Sequence, residues 1–456
     1  MSRKDEAITQ VQEELEKLPK EESSCRKAFC AESLKDQLYH GLKAINERKP
    51  SALVSLDGLR AIAILWVVSH HWMRNLCRFF KNGDLGVDLF FILSGFLMAF
   101  VLLKEQTKHG SIDYWQFYCK RFIRIWPALF VYKLIELVLH PSSLLIKSMF
   151  VDLSFLTNLV PIRETHLWSV SVEYQMYFIS PFVITSMTRH GPYVAPILLI
   201  LLSIALNFLV IVYFCPESLR DPHILGIEHN EVCEIGETWF WLYAEFYTRM
   251  GPYFLGMIAA YWHLNLEKAP TRRVELEVSA VSLIVYIAIQ GAGGATWYPG
   301  VILWMYRISS RVIFATCWAY LMPGLLSIDE IASYFPTKHL RRFLSANFWV
   351  PIATISYSFY LIHQECKYAA MKTFPKIEGE TALLMTIGRK GCEIFMAVAT
   401  SILGASLIFI LVERPCNNAR SLLKNRHVAR KIKLQKETEV AAAKKMRFDS
   451  MFLDSI

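Results

Sequence analysis

Apolar residues along this chain gather in runs near the length of a bilayer crossing, divided by short polar or basic stretches, and that pattern predicts membrane-spanning helices. About 20 residues, rising about 1.5 Å each, cross the hydrocarbon core. Val194–Phe214, Leu276–Gln290 and Ile394–Val412 show such runs most cleanly. Ten spans are predicted, starting near Ala52, Val87, Phe122, Leu167, Val194, Phe240, Leu276, Tyr298, Val350 and Ile394. The stretch Ile146–Val160 is apolar but short and carries Asp152 and Asn158, so a re-entrant or interfacial piece is expected there. The expected fold class is all-α, a polytopic transmembrane helix bundle with both termini cytosolic. Its parts are a polar N-terminal segment over residues 1–50, a transmembrane domain over 51–415 and a basic tail over 416–456.

Composition points the same way, since 54% hydrophobic and only 20% charged residues are too apolar a mixture for an ordinary soluble globule. The first apolar run lies behind a polar, charged leader, so it is expected to stay in the mature protein. Within that leader Ile8, Val11, Leu15 and Leu18 recur at helical spacing, which predicts a short amphipathic helix. The ten cysteines form no CxxC pair and no zinc spacing, so no metal site is expected. Cys215 and Cys233 share one polar loop, where a disulfide fits if the loop faces an oxidising compartment; the spacing leaves both states open.

Charge decides the sidedness. Lys104, Lys108, Lys120, Arg121 and Arg124, then Lys268, Arg272 and Arg273, then Lys338, Arg341 and Arg342, fall on the side of the basic tail. The opposite side is weaker but holds Arg74, Arg78, Lys81, Lys367, Lys372 and Lys376. The rule that positive loops stay in the cytosol then favours ten spans. The net charge of +9 reflects these loops and the tail facing an anionic leaflet, so the partner is a lipid bilayer and no nucleic acid is expected.

Ionisable residues inside the spans carry the candidate chemistry, because charge at such depth is costly. In the first span Asp57 and Arg60 stand near one end and His70 and His71 near the other. Eleven residues make about three turns, so Arg60 and His71 share a face about 16 Å apart, while His70 points about 80–100° away. The second span opens Gly86-Val-Asp-Leu-Phe-Phe-Ile-Leu-Ser-Gly-Phe-Leu97. Asp88 is expected beside His71, where a carboxylate fixes the tautomer and stabilises the imidazolium of a general base; alternatively it caps the helix.

Lys120, Arg121 and Arg124 form a basic cluster at the cytosolic mouth of the third span, suited to gripping phosphates. The plainer use of such a cluster is to set topology. In the fourth span Ser169, Glu173 and Tyr177 recur every four residues, so a hydroxyl, a carboxylate and a phenol share one face. Arg249, Arg307 and Arg311 add further arginines, His363 closes Ile355-Ser-Tyr-Ser-Phe-Tyr-Leu-Ile-His363, and Glu413-Arg-Pro415 ends the last span.

Six of these segments, in this order, resemble the acyltransferase-3 family of multi-span O-acyltransferases. They are Asp57-Gly-Leu-Arg60 with ten residues before His71, Gly86–Leu97, Lys120–Pro127, Trp168–Glu173, Ser356–His363 and Glu413-Arg-Pro415. The stretches Arg249–Gly256 and Tyr306–Trp318 look like the animal branch typified by the nose-resistant-to-fluoxetine proteins, without that branch's long extracellular N-terminal domain. The resemblance implies an acyl-coenzyme A donor and a hydroxyl acceptor on a glycan, lipid or small molecule. It marks Arg60, His71, Arg124 and Glu173 most strongly. With the residue readings above, His71, Asp88, Glu173 and Arg60 are the catalytic candidates, and Arg60, Lys120, Arg121 and Arg124 are expected at the donor. Ser169, Tyr177 and His363 are expected at the acceptor. The competing class is a transporter, which buries similar residues but favours inverted repeats; corresponding halves are not visible in the chain.

Overall fold

The computed structural model describes residues 34–48, 53–73, 83–160, 165–214, 240–265, 300–326, 337–374 and 383–419, with single positions at 162, 281 and 284. Among these residues every regular element is helical. The Ile8–Leu18 stretch, the Cys215 and Cys233 loop, the span expected near Leu276 and the tail after Ala419 lie outside the described residues.

In chain order the helices are α1 (Leu34–Asn46), α2 (Ser55–Met73), α3 (Asp84–His109), α4 (Tyr114–Leu139), α5 (Ser143–Leu153), α6 (Trp168–His190) and α7 (Val194–Phe214). A π-helical turn, Phe240–Ala244, and a 3-10 turn, Phe246–Arg249, lead into α8 (Met250–Leu264). Then come α9 (Gly300–Leu326), α10 (Thr337–Leu344), α11 (Trp349–Thr373) and α12 (Leu383–Ile408), the last continued by a π-helical turn, Phe409–Glu413.

Two helices begin well before their apolar runs. α4 starts at Tyr114 because the Asp113 carboxylate accepts from the Gln116 amide at 3.0 Å. A cap is polar by nature, so the apolar pattern alone places the start too late. The early cap puts Lys120, Arg121 and Arg124 on the helix itself. α12 starts at Leu383, ahead of the expected Ile394, and a polar stretch before Ile394 is laced by Lys390 and Glu393 at 2.7 Å and by Arg389 and Glu393 at 3.7 Å.

The short apolar stretch after α4 forms α5, capped where the Ser142 hydroxyl accepts from the Leu145 amide at 3.1 Å. Asp152 turns inward: it pairs with Lys133 at 2.7 Å and accepts from Thr157 at 2.9 Å, while Lys133 also reaches Glu136 at 2.5 Å. Asn158 and Gln175 hydrogen-bond at 2.8 Å. The polar residues that argued against a span are thus held inside the protein, where charge needs partners.

Small residues let the central helices approach. A methyl on Gly95 of α3 would strike the Tyr253 carbonyl of α8, and one on Gly256 of α8 would strike the Ile92 carbonyl of α3. This reciprocal crossing brings the two backbones into contact. Leu89, Ile92, Phe96, Tyr253 and Phe254 are fully buried around it. The outer surface is the reverse of a soluble protein's: Val138, Phe150, Phe178, Phe182, Leu198 and Phe395 are 79%, 71%, 60%, 55%, 61% and 75% exposed. Two helices among the described residues, Leu85–His109 and Gly388–Ala419, are long and apolar enough to cross a membrane, and Val194–Val210 is a shorter apolar one.

Candidate active site

The helices α2, α3, α4, α6 and α11 leave space between them that forms two adjoining cavities. The outer one, about 580 Å³, is walled by Asp57 and Arg60 of α2, Glu105 of α3, Lys120, Arg121 and Arg124 of α4, and Glu413. Ala44, Glu47 and Arg48 close one side. Arg48 is fixed by four acceptors: Asp57 at 3.2 Å, the Ser345 carbonyl at 2.8 Å, Asn347 Oδ1 at 3.1 Å and the Ala346 carbonyl at 3.3 Å. A guanidinium has donors enough to serve all of them, so the chain after α1 is tied to the loop between α10 and α11.

The inner cavity, about 120 Å³, shares Arg60, Arg121, Arg124, Ser356 and Tyr357 with the outer one. Beyond the arginines its wall is apolar on the α3 side, with Val87, Phe90, Leu97 and Met98, and polar on the α6 side. There Ser169, Glu173 and Tyr177 all face the cavity, as their four-residue spacing on one helix requires. Glu173 Oε1 accepts from Ser94 at 2.7 Å and from Tyr177 at 2.5 Å, and the two hydroxyls lie 2.9 Å apart. Arg121, itself buried, lies 5.6 Å from the Tyr177 ring centre and 5.5 Å from that of Phe117.

The inner cavity ends at Ser169 and Tyr360, whose hydroxyls are 2.5 Å apart. Tyr360 donates to the His166 carbonyl at 2.6 Å, and the His166 ring reaches back to the Leu361 carbonyl at 3.0 Å. Behind this clasp stand His363, with its ring centre 5.0 Å from His166, and His71, 5.1 Å from His363. His70 is next, 5.3 Å from His71, and its Nδ1 accepts from the Gly83 amide at 3.2 Å.

The expected pairing of Asp88 with His71 is corrected by this arrangement. Asp88 is wholly buried and takes Arg249 at 2.5 Å, with Arg311 at 3.8 Å, and the imidazole that meets His71 is His363. The cause is helix register. Gly83 lies against His70 and Gly86 against Ala63, so α3 descends antiparallel to α2 from its first turn. Asp88, five residues beyond Gly83, is therefore about 7.5 Å deeper than the level of the histidines. Gly83, and not Asp88, stands level with the histidines.

Of the residues marked by the sequence, Arg60, Arg121, Arg124, Ser169, Glu173 and Tyr177 line the inner cavity and Lys120 the outer one. Among the described residues, His71, Asp88 and His363 are not on either wall. The sequence singled out neither Ser94, Tyr360 nor His166, although Ser94 and Tyr360 sit in Gly86–Leu97 and Ser356–His363 and His166 lies two residues before Trp168–Glu173. The signal was the block, and a hydroxyl in an apolar helix does not announce its partner. Arg249 was legible as an arginine in or beside a span, but its partner was not.

Residues 53–412 match the sequence profile of a family described as an acyltransferase domain. A protein of Staphylococcus aureus (strain COL) provisionally named an O-acetyltransferase is 24% identical over 341 residues, 69% of this chain and 51% of its own length. The peptidoglycan O-acetyltransferase OatA of Listeria monocytogenes is 33% identical over 147 residues, 28% of this chain and 23% of that protein. O-acetyltransferase OatA of Staphylococcus aureus (strain NCTC 8325) is 30% identical over 188 residues, 36% of this chain and 30% of that protein. The chain thus spans about half the length of the first of these relatives. No solved structure matches it.

Proposed function

The chain belongs to the acyltransferase-3 family, and from that premise we propose that it is a multi-pass membrane O-acyltransferase. It moves an acetyl or similarly short acyl group from acyl-coenzyme A to a hydroxyl of a glycan, lipid or small-molecule acceptor. The observation that carries this reading is the pair of joined cavities, with Arg60, Arg121 and Arg124 at their junction. Guanidinium groups are the side chains best shaped to hold phosphates.

In this reading the donor enters the outer cavity from the cytosolic side, and its phosphates stop at Arg60, Lys120, Arg121 and Arg124. Glu173, just beyond, places a carboxylate where further anionic groups would be repelled. The neutral pantetheine arm continues into the apolar inner cavity and brings the thioester toward Ser169 and Tyr360. His71, beyond the Ser169–Tyr360 clasp, takes the proton of an acceptor hydroxyl that meets the thioester there, as the hydroxyl oxygen bonds to the acyl carbon. The carbon–sulfur bond breaks, the electron pair leaves with sulfur, and the thiolate takes the proton from His71. Asp88, expected for catalysis beside His71, acts in this scheme through the Arg249 pair instead.

The ten-span topology with both termini cytosolic belongs to the same reading, supported by the many exposed apolar side chains and by the basic loops. So does membership of the nose-resistant-to-fluoxetine-like branch, which rests on Arg249–Gly256 and Tyr306–Trp318 alone. The decisive experiment incubates the purified chain in lipid nanodiscs with labelled acetyl-coenzyme A, with and without a membrane extract as acceptor source. Protein-dependent release of coenzyme A with label passing to a hydroxyl ester is the expected result. No consumption of the thioester under either condition would sink the enzyme reading.

A further inference from the structure

Hydrogen bonds to backbone carbonyls fix the tautomers in the imidazole row behind Tyr360. A carbonyl only accepts, so the His166 nitrogen 3.0 Å from the Leu361 carbonyl, Nε2, carries the proton. By the same argument His363 carries its proton on Nδ1, which lies 2.6 Å from the Tyr360 carbonyl. Neutral His363 therefore presents a lone pair at Nε2. That atom is buried and has no hydrogen-bond partner, and the whole side chain is shut off from solvent. Buried acceptors are nearly always satisfied, so such an atom calls for a role.

The rings against His363 are His71 at 5.1 Å, His166 at 5.0 Å and Tyr360 at 5.7 Å between centres. His166 sends its N–H to Leu361, and Tyr360 sends its hydroxyl to His166. Of the two neighbouring imidazoles, His71 is the one that the base assignment converts to an imidazolium, with an N–H on each ring nitrogen. Its helix end is tied to α11 twice: Lys367 donates to the His71 carbonyl at 2.5 Å, and the Trp72 indole donates to the His363 carbonyl at 3.3 Å.

We propose that His363 is a positioning residue whose Nε2 accepts the N–H of protonated His71 during acyl transfer. The proposal rests on His71 being the base. The acceptor hydroxyl gives its proton to one His71 nitrogen, while the other His71 nitrogen, through its own N–H, bonds His363 Nε2. His363 keeps its Nδ1 proton throughout, and His71 passes the acquired proton to the departing thiolate. A neutral imidazole thus does for His71 what a carboxylate does elsewhere.

The test compares His363→Asn and His363→Gln in nanodiscs, beside wild type and His71→Ala, reading kcat, the donor KM and the thermal midpoint. The Asn amide reaches the Nδ1 position and keeps the bond to the Tyr360 carbonyl, whereas the Gln carbonyl reaches the Nε2 position. His363→Asn is expected to lose about 10–100-fold in kcat with the donor KM and midpoint near wild type, a range typical of residues that orient a functional histidine. His363→Gln is expected to recover part of that loss. Wild-type kcat in His363→Asn, or equal loss in both folded variants, overturns the proposal. Should His363→Asn not fold, His363→Gln decides: partial kcat at an unchanged KM supports the role, and no activity in a folded protein overturns it. An active His71→Ala would instead sink the base assignment itself.

Discussion

Arg249 donates to Asp88 across 2.5 Å, and neither side chain meets solvent. The guanidinium is held between two rings, with Trp168 at 4.9 Å and Tyr243 at 4.6 Å, and also reaches the Tyr243 carbonyl at 3.1 Å. One residue thus joins α3, the start of α6 and the turns that lead into α8. The pair anchors the helices that carry the inner cavity wall, and Asp88 matters to the fold before it matters to chemistry.

Breaking that pair from one side should be severe. Removing one partner of a buried ion pair costs about 3–5 kcal/mol, because the other charge stays buried. Arg249→Met is expected to lower the thermal midpoint sharply and to reduce yield. Asp88→Asn combined with Arg249→Gln should recover part of the loss, since neither of those two fully buried positions then holds an unpaired charge. A single Arg249→Met variant as stable as wild type in a detergent melt would remove the anchoring role.

The two adjacent histidines are expected to separate cleanly. His71→Ala should abolish transfer, because a placed imidazole contributes about 10²–10⁴-fold to such a step. His70 accepts from the Gly83 amide at 3.2 Å, so His70→Ala should cost about 1 kcal/mol of stability and keep substantial activity. Turnover and melting measured on both variants check this, and a dead His70 variant beside an active His71 variant would reverse the assignment.

Replacing Arg121 and Arg124 by Gln should raise the KM for acyl-coenzyme A more than it lowers kcat, the pattern of lost ground-state binding. Arg121 also packs on the rings of Phe117 and Tyr177, so a small drop in the midpoint is expected with it. Initial rates over a donor titration give the answer. An unchanged KM would leave the cluster as a topology signal.

The tail beyond Pro415 is expected to face the cytosol, from its density of Lys and Arg after the last helix. A cysteine-reactive or epitope tag at Ile456 should resist impermeant reagents on intact cells and react after permeabilisation. Labelling of intact cells would overturn the sidedness of the whole bundle.

What the sequence by itself determined here is local. The period of apolar residues marked helices from Ser55 to Ile408, and the four-residue spacing of Ser169, Glu173 and Tyr177 put them on one face, which is the face lining the inner cavity. Both follow from the geometry of a single helix, which the chain carries within a few turns. A polar cap hid the true start of α4, since a hydropathy run cannot see the capping residue before it. The partners of the buried charges were decided only by tertiary structure. Asp88 finds Arg249 161 positions away, and His71 meets His363 from a distant helix. Which groups stand level depends on the register of packed helices, here set by Gly83 and Gly86 against α2 and by Gly95 against α8. A slip of two or three residues along a helix axis moves a side chain by about 3–5 Å, enough to exchange one partner for another. No local spacing records that register, because it is fixed by the fit of surfaces that meet only when the bundle is assembled.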